Sequence, residues 1–591
     1  MTFDCLFYEN RAEDLKRKIQ NLSATGMRLS FVRLFLFLAA VASIVLYSND
    51  IFPIPAITAG LLFVVFFIFA CKKHSAAKRK LKDAEYQYAI NKRYIDRIVG
   101  DFTSVEDDGS EFFISNHDYC NDLDLFGKKS LFALYNISES DYGRKMFADE
   151  LLYAPVKERS KEDIIKRQKA AEEFALNPVF LQEYQALAKR KKVKSTPADI
   201  KRNIEKAKLP SINVCYAALL WIVPLILLFI NPVAAKICSA VIIIINLFVW
   251  FINLSQFSIV FNGMTSTMRS VSVLIDLFSK IELSGFKSEM VSIFEKEKYS
   301  ESLVKINRIA NLVALRSQPI CDLFINMIFP LDILLCGKLV SWEKKYGSKV
   351  SGGMEKLAEL ESVMSASLVE IISKDVTTPE FVDNSACFKG ENIYHPLIKP
   401  DDVISNSISI DNNIVVITGS NMSGKTTLIR TVGTVSLLAY MGAKVPADKL
   451  VLSRMRIMSS MRIADNLDEG ISTFKAELDK ISLIIKAGKE LKGDSKLLFL
   501  IDEIFRGTNS LDRTEGALVV LRNLSKVNIC GMMTTHDYAM CDEAKNTMDN
   551  IDYYHFAEKY TDEGIVFDYK LLSGTSYKSN AKYLMRLVGI E

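Results

Sequence analysis

The chain has 591 residues, 49% of them hydrophobic, and this length favours about three to five domains. Its net charge is only +4, which excludes a globally basic polyanion-binding protein and leaves only local charge clusters for such a role. The ten cysteines include no Cys-x-x-Cys pair and the five histidines do not cluster, a pattern typical of reduced cytosolic thiols rather than of a disulfide framework or a zinc site.

The first predicted membrane element follows a charged N-terminal segment. Residues 1–30 are rich in Lys and Arg, are predicted to be helical and contain no signal-peptide cleavage pattern. Two apolar runs, at about 31–47 and 51–71, flank a turn marked by Pro53 and Pro55. Each run approaches the roughly 20 residues that a membrane span requires. The sequence therefore predicts a first transmembrane hairpin within a domain that covers residues 1–110.

A second transmembrane hairpin is predicted at 213–256. Its apolar runs, 214–230 and 237–254, are joined by Asn231-Pro232, and Pro224 inside the first run is tolerable in a membrane helix. The alternative for both hairpins is that the runs are buried core helices. Segments such as 241–245 are hydrophobic all round and offer water no polar face, which favours the membrane.

The distribution of Lys and Arg predicts the orientation of these four spans. The 49–55 loop has no Lys or Arg and the 231–236 loop has only Lys236, whereas the other flanks, such as 72–80, are basic. The positive-inside rule then places both termini and the C-terminal domain in the cytoplasm. We therefore expect a multi-pass protein of the inner (cytoplasmic) membrane.

A soluble segment is predicted before the second hairpin and a helical segment after it. Residues 111–212 contain short helices and end near a basic run at 189–194. This run could contact a nucleic-acid backbone, or it could be a solvated flank that faces the anionic inner leaflet. Residues 257–385 are predicted to form a helical lever or coiled-coil arm, with an amphipathic stretch at 354–364 and a linker after Pro379.

A glycine-rich loop carries the strongest chemical signal. It follows an apolar run at 413–418, predicted to be a buried strand, and precedes a segment with helical character, which is the context that a P-loop requires. In such a loop the backbone N–H groups cradle phosphate oxygens, Lys425 reaches the β and γ phosphates and the Thr426 hydroxyl ligates Mg²⁺. The predicted ATP-binding residues are Gly419, Ser420, Asn421, Met422, Ser423, Gly424, Lys425, Thr426 and Thr427.

Three further segments carry polar residues suited to nucleotide hydrolysis. The apolar run 496–501 predicts a buried strand that ends in Asp502, a candidate to hold Mg²⁺, and Glu503, a candidate to orient or deprotonate the attacking water. Ser472 could simply cap a helix, and His536, at the end of the 529–535 run, is a candidate γ-phosphate sensor. The alternatives are purely structural: Asp502 and Glu503 could cap the helix that follows their strand, and His536 could be a structural histidine.

Together these segments resemble the MutS family of DNA mismatch repair ATPases. The resemblance rests on 417–427, 472–474 with Glu477, 501–503 with 506–508, and 534–536, and more distantly on 130–132, 143–144 and 167–168. It implies that 386–591 is a MutS-type, ABC-like P-loop ATPase domain, that 111–212 is a MutS-like core segment, and that ATP and Mg²⁺ are the cofactors. It also implies a homodimer through the ATPase domains, in which Ser472 acts on the partner's γ-phosphate and His536 is the switch histidine.

The departures from the family limit what the resemblance implies. Nothing upstream of residue 120 resembles the mismatch-reading domain with its Phe-x-Glu wedge, and the first membrane hairpin stands there instead. The predicted fold class is therefore multidomain, with helical membrane hairpins and an α-helical lever followed by an α/β ATPase domain. One predicted function is a membrane-anchored MutS-related ATPase that engages mismatched or branched DNA. The alternatives are an ATP-driven membrane switch that acts on a protein or membrane partner and, more weakly, an ABC transporter, which would need a polar intramembrane path.

Overall fold

The computed structural model describes residues 5–49, 51–101, 105–189, 197–206, 215–261, 264–317, 319–383, 385–420, 422–462, 473–491, 495–505, 510–526, 529–561 and 564–575. The chain divides into two compact units. Unit 1 comprises Met1–Ile137, Lys145–Val179 and Ser362–Glu591, and unit 2 comprises Ser138–Arg144 and Phe180–Glu361. The N-terminal helices therefore belong to the same unit as the C-terminal sheets.

Two long helices, α1 (Cys5–Ser48) and α2 (Pro53–Val99), pack against each other in unit 1. At 44 and 47 residues they are about 65–70 Å long, so each continues well beyond its apolar run into a polar segment. Large apolar side chains between residues 31 and 69 are exposed, whereas the polar ends are fixed by buried contacts. There Tyr8 packs on Tyr94 with ring centroids 5.5 Å apart, and Asn91 Nδ2 donates to the Tyr8 carbonyl at 2.7 Å.

Unit 1 continues with short helices, three of which begin at a capping serine: Ser130, Ser140 and Ser160. These helices are α3 (Leu131–Tyr135), most of α4 (Asp141–Tyr153), α5 (Lys161–Ala175) and α16 (Leu368–Ile372). Ser160 and Asp163 form a capping box at the start of α5. Burial alone would raise the pKa of the Glu150 carboxyl, but Arg167, Arg159 and Lys157 outweigh it and lower this pKa to about 2. This buried ionic cluster fixes α4 against α5.

The described residues of unit 2 form helices joined by short connections, with no strand among them. Its helices are α6 (Pro178–Lys189), which begins in unit 1, α7 (Pro197–Lys206), α8 (Cys215–Ile230), α9 (Pro232–Phe261), α10 (Met264–Glu282), α11 (Glu289–Glu297), α12 (Tyr299–Val313), α13 (Pro319–Ile328), α14 (Leu331–Trp342) and α15 (Ser348–Ala366), which ends in unit 1. The predicted helical nature of 257–385 is confirmed as far as residue 372. Of the basic run 189–194, only Lys189 lies within the described residues.

Among the described residues, three helices are long and apolar enough to cross a membrane: α1, α2 and α9. The predicted span at 214–230 forms α8, which continues through Pro224 but has only 16 residues, or about 24 Å of helix. The described helix is shorter than a hydrocarbon core of about 30 Å, and the residues directly before Cys215 lie outside the described part of the chain. A fourth candidate appears where none was predicted, because Asp322–Ile328 and Leu331–Ile372 pass the same test together with an 88° bend between them.

The C-terminal part of unit 1 contains two sheets. Strands β1 (Glu380–Phe381), β2 (Cys387–Ile393), β3 (Asn406–Asp411) and β5 (Lys449–Leu452) form a four-stranded sheet in the order β1-β5-β2-β3. The second sheet has the order β10-β9-β4-β8-β7-β6 and comprises β4 (Ile414–Thr418), β6 (Arg456–Ser460), β7 (Leu497–Ile501), β8 (Ile529–Thr535), β9 (Ile551–Thr561) and β10 (Gly564–Ser573).

The parallel strands of the second sheet position the site. All pairs among β9, β4, β8, β7 and β6 are parallel, and only β10 is antiparallel to its neighbour. Every residue of β4 and β7 is buried, so the two strands predicted from continuous apolar runs are confirmed. Helices α17 (Lys425–Tyr440), α18 (Thr473–Lys489), α19 (Ser510–Leu524) and α20 (Tyr538–Thr547) connect the strands. Because parallel strands end at one edge, the segments after β4, β7 and β8 meet there.

Candidate nucleotide-binding site

The loop after β4 has the backbone that its glycines permit. Gly419 and Gly424 have φ angles of +146° and +108°, in the region where a side chain is strained. A Cβ on Gly419 would lie 3.0 Å from Ser423 Oγ and 3.2 Å from the Phe556 carbonyl oxygen. The loop therefore packs too closely for any other residue at Gly419. Asn421 lies outside the described residues.

Lys425, the first residue of α17, lies at the centre of the site. Its Nζ donates to the carbonyl oxygens of Gly419 and Ser420 at 2.9 and 2.7 Å. The same nitrogen is 3.3 Å from His536 Nε2 and 3.9 Å from Glu503 Oε1. The lysine is buried and its charged end faces the tips of three strand-ending segments.

A threonine–aspartate pair lies beside the lysine. Thr426 Oγ1 donates to Asp502 Oδ2 at 2.7 Å, and Thr534 Oγ1 donates to Asp502 Oδ1 at 2.6 Å. The same Thr534 oxygen accepts the backbone N–H of Glu503 at 2.9 Å. Thr534 thus fixes both acidic residues, a role that the sequence did not reveal although Thr534 lies only two residues before His536.

The second acidic residue, Glu503, is held by the histidine. Its Oε1 is 2.8 Å from His536 Nε2, and its backbone has a φ of +50°. This left-handed conformation is costly for a residue other than glycine, so the surrounding contacts must maintain it. One such contact is on the following segment, where Glu477 Oε1 accepts the Phe505 N–H at 2.5 Å.

The remaining predicted residues lie around this centre or outside the described chain. Met422 is exposed, Thr427 lies in the first turn of α17, and Ser423 is buried. Ser420 Oγ and Ser423 Oγ are buried and have no hydrogen-bond partner among the described residues. Ser472 and 506–508 are outside the described residues, and the described part of α18 begins at Thr473.

A cleft of about 970 Å³ opens beside the P-loop. The side of the cleft opposite the P-loop was not predicted from the sequence. It is formed by residues of β3, β9 and β10 and of the segment before β3, namely Ile404, Asn406, Phe556 and Tyr569. His395 also lines the cleft, and burial, aided by the charge of Arg430, lowers its pKa to about 4. A neutral imidazole and aromatic rings next to a phosphate-binding loop suit a planar base attached to a polyphosphate.

The donor atoms fit Mg²⁺. The Thr426 hydroxyl and the Asp502 carboxylate are adjacent oxygen donors, and Mg²⁺ usually combines one or two protein oxygens with substrate phosphates and water. In the described part of the chain, no group of three or more His, Cys, Asp and Glu side chains could hold a metal ion. The site therefore suits a metal that arrives with a phosphate ligand.

Three aspartates upstream of α3 bind basic side chains of the C-terminal α/β part of unit 1. Asp124 Oδ2 accepts from Arg430 of α17 at 2.8 Å, and Asp122 Oδ2 accepts from Lys480 of α18 at 3.0 Å. Asp118 binds Arg456 at the start of β6. Residues 118–124 therefore contact two of the helices that flank the nucleotide cleft.

Comparison with known proteins identifies the domain that carries this geometry. Residues 415–590 match MutS domain V, which is an ABC-type ATPase domain. The DNA mismatch repair protein MutS of Thermotoga petrophila is 32% identical over 241 residues, which cover 40% of this chain and 29% of that protein. MutS of Petrotoga mobilis is 29% identical over 260 residues (43% and 31%), and MutS of Thermus thermophilus is 29% identical over 237 residues (40% and 28%). The chain thus spans about three tenths of the length of these relatives and carries an ATPase domain of their type.

Proposed function

We propose that this protein is a membrane-anchored, MutS-related ATPase in which ATP binding and hydrolysis drive a conformational switch. The observation that carries the proposal is the convergence of Lys425, Asp502, Glu503 and His536 at one edge of a parallel sheet. Each lies within hydrogen-bonding or ion-pair distance of another member of this group or of the P-loop.

The contacts suggest a role for each group. Lys425 and the P-loop N–H groups bind the β and γ phosphates, with Lys425 exchanging its present carbonyl partners for phosphate oxygens. Thr426 and Asp502 would hold Mg²⁺, which neutralises phosphate charge when bound. Glu503 accepts the proton of the water that attacks the γ-phosphate, and His536 holds Glu503 in position.

We further propose that the active form is a homodimer through the ATPase domains. In this arrangement Ser472, which comes directly before Thr473 in the sequence, would contact the γ-phosphate bound by the partner. The Glu477–Phe505 hydrogen bond supports a mechanical link, because it connects α18 to the segment that carries Glu503. A shift of α18 on dimerisation would therefore move the catalytic carboxylate.

We propose that α1 and α2 form one membrane hairpin and α8 and α9 a second, so that four crossings leave both termini and the ATPase domain in the cytoplasm of a cell with this protein in its inner membrane. The exposed apolar side chains of α1 and α2 between residues 31 and 69 support insertion. The basic residues at 72–80 support the cytoplasmic location of the polar ends.

A contact route from α2 to the nucleotide cleft supports coupling within unit 1. The Arg97 guanidinium donates to the Asn136 and Ala133 carbonyl oxygens at 2.7 and 3.3 Å, where α3 ends. Gly100, which ends α2, packs so closely that a Cβ would lie 3.2 Å from Lys399 Cγ. The chain from Lys399 leads directly to 402–406, part of the cleft wall.

The proposal is tested with the full chain reconstituted into lipid vesicles. We expect the protein to float with the vesicles after carbonate treatment and to hydrolyse ATP only with Mg²⁺. Asp502→Asn should still float but lose hydrolysis, whereas Asp542→Asn, an exposed carboxylate on α20, should retain both. Extraction by carbonate would contradict the anchor, and undiminished hydrolysis in Asp502→Asn would contradict the site.

A second candidate function, binding of DNA, is favoured by the similarity to MutS proteins named for DNA mismatch repair. The chain shows no aromatic wedge in its first 120 residues that matches the family, so we expect Lys and Arg contacts to supply the affinity. Binding should then fall steeply with salt and discriminate less than about tenfold between mispaired and paired duplexes. Competition between the two duplexes at fixed salt, with protein in nanodiscs, measures this. A larger preference would indicate a mismatch reader, and no binding at low salt would contradict the DNA role.

A further inference from the structure

A helix break between α13 and α14 leaves polar backbone groups in an apolar surrounding. The two helices meet at an 88° bend around Phe329 and Pro330, and Pro330 has no N–H to donate. The last carbonyl groups of α13 therefore lack helical partners. The flanking residues are almost all apolar, so another part of the protein must satisfy these groups.

Side chains from the apolar helices α8 and α9 supply the missing donors. Asn246 Nδ2 lies 3.3 and 3.2 Å from the Met327 and Ile328 carbonyl oxygens, and Trp221 Nε1 donates to the Ile328 oxygen at 2.8 Å. Asn246 is buried in the middle of α9, within a run of aliphatic residues. Exposed carbonyl groups in water need no such donors, whereas broken helices at membrane depth require them.

The carboxylates near the break, Asp322 and Asp332, both lie against Arg316, with Asp322 Oδ1 3.6 Å from the Arg316 Nε. Asp332, which is 0% exposed, has Oδ1 3.0 Å from Arg316 Nε and accepts from Trp250 Nε1 at Oδ2, 3.1 Å away. Its backbone N–H donates to Asn326 Oδ1 at 3.0 Å. The Arg316 guanidinium also lies 4.5 Å from the Phe261 ring centroid. Ionisable side chains inside a bilayer require this kind of paired environment.

The outer face of the same element is apolar and uncovered. Leu323, Phe324 and Ile328 of α13 are 42–54% exposed, and Phe251 on α9 is also exposed. Lys, Arg, Asp and Glu are absent from 323–331. An apolar surface of this kind, continuous with a helix long enough to span a membrane, fits hydrocarbon better than water.

We propose that α13, the break and the first turns of α14 are embedded in the bilayer beside α9, with lipid acyl chains covering the exposed face of α13. This inference rests on the proposed function in one respect, namely that α9 crosses the membrane. Asn246 is the fifteenth residue of the 30-residue α9, about 21 Å along it, so the break lies near the middle of the bilayer. The bent pair α13–α14 would thus enter the bilayer, in a segment, 257–385, for which the sequence predicted a helical lever and no membrane element.

Site-directed photocrosslinking tests this placement without disturbing the tryptophan and asparagine contacts. Phe324 is replaced by p-benzoylphenylalanine in the full chain, which is reconstituted into vesicles of radiolabelled phosphatidylcholine and irradiated. The same replacement at Phe251 of α9 is the lipid-facing control, and at Leu283, an exposed residue between α10 and α11, the aqueous control. We expect lipid adducts at positions 324 and 251 of similar yield, and at least tenfold less at position 283.

The outcomes separate this inference from the membrane anchor on which it rests. A lipid adduct at 251 with none at 324 would overturn the embedding of α13 while retaining α9 as a span. A protein–protein adduct at 324 would overturn it in favour of a second copy covering this face. Absence of lipid adducts at both positions would contradict membrane insertion of α9 itself.

Discussion

Replacing Glu503 by glutamine removes one negative charge and one proton acceptor while keeping the side-chain shape. In the structure, Glu503 Oε1 is 2.8 Å from His536 Nε2 and 3.9 Å from Lys425 Nζ, at the edge of the cleft that would hold the γ-phosphate. A positioned general base contributes about 100-fold to rate, which corresponds to about 2.7 kcal/mol of activation free energy. We therefore expect Glu503→Gln to hydrolyse ATP about 100-fold more slowly than the parent.

Nucleotide binding should survive this change, because the contacts assigned to the phosphates come from the P-loop and Lys425. Phosphate release by protein in nanodiscs measures turnover, and a fluorescent ATP analogue measures affinity in the same preparation. Glu490→Gln, an exposed carboxylate at the end of α18, is the matched control and should behave as the parent. Hydrolysis at the parent rate in Glu503→Gln, or loss of ATP binding, would refute the role assigned to Glu503.

Three further predictions concern the dimer, the support of the acidic pair and the buried ionic cluster. Mixing inactive Ser472→Arg subunits with inactive Lys425→Ala subunits should restore some ATPase activity, because a mixed dimer has one intact composite site. If a proven mixed dimer shows no recovery, the site is instead complete within one chain. Thr534→Val removes the hydroxyl that binds Asp502 and the Glu503 N–H. Losing a hydrogen bond to a charged group should lower turnover about tenfold, as measured by a Mg²⁺ titration of ATPase activity. An unchanged titration would contradict this role of Thr534. Glu150→Gln should destabilise unit 1 by about 3 kcal/mol at pH 7. Because the pKa of Glu150 is lowered from 4.5 to about 2, the stabilisation by its ionised carboxylate is present above pH 4.5 and is lost as pH falls towards 2. The free energies of unfolding of parent and variant, measured with denaturant, should therefore converge near pH 2. The control Glu162→Gln, at an exposed carboxylate, should match the parent at every pH.

The parts of the site that the sequence predicted are those encoded by local patterns. Residues 414–417 and 497–501 are uniformly apolar and short, which specifies buried parallel strands. The polar residues that follow them meet because parallel strands end at one edge. The proximity of Thr426 and Asp502 follows from this topology. Local pattern and sheet geometry were therefore sufficient for the centre of the site.

The walls and supports of the site depend on contacts between distant segments. Phe556 and Tyr569 reach the cleft from strands that begin more than 120 residues after the P-loop ends at Thr427. Aromatic residues in a strand give no sign of which surface they will line. Thr534 could be read equally well as an ordinary strand residue. Its hydrogen bonds to the acidic pair became evident only from the fold.

The membrane elements show a similar limit. The apolar character of α1, α2 and α9 is visible in single windows of sequence, whereas α13 and α14 are interrupted by Asp322 and Asp332. A hydropathy window scores these carboxylates as unfavourable for membrane insertion. It has no information that Arg316 pairs with Asp332, or that Trp250 donates to Asp332, so the segment was assigned to a helical lever.

The most direct test of the central claim is ATP hydrolysis by the full chain in nanodiscs, compared with Lys425→Ala in the same lipid. Lys425 is the one cation that contacts the P-loop carbonyls, His536 and Glu503 in the described site, so its removal should eliminate measurable Mg²⁺-dependent hydrolysis while the protein still inserts into the nanodisc. Hydrolysis by Lys425→Ala at the parent rate would contradict the account of this chain as an ATPase that works through this site.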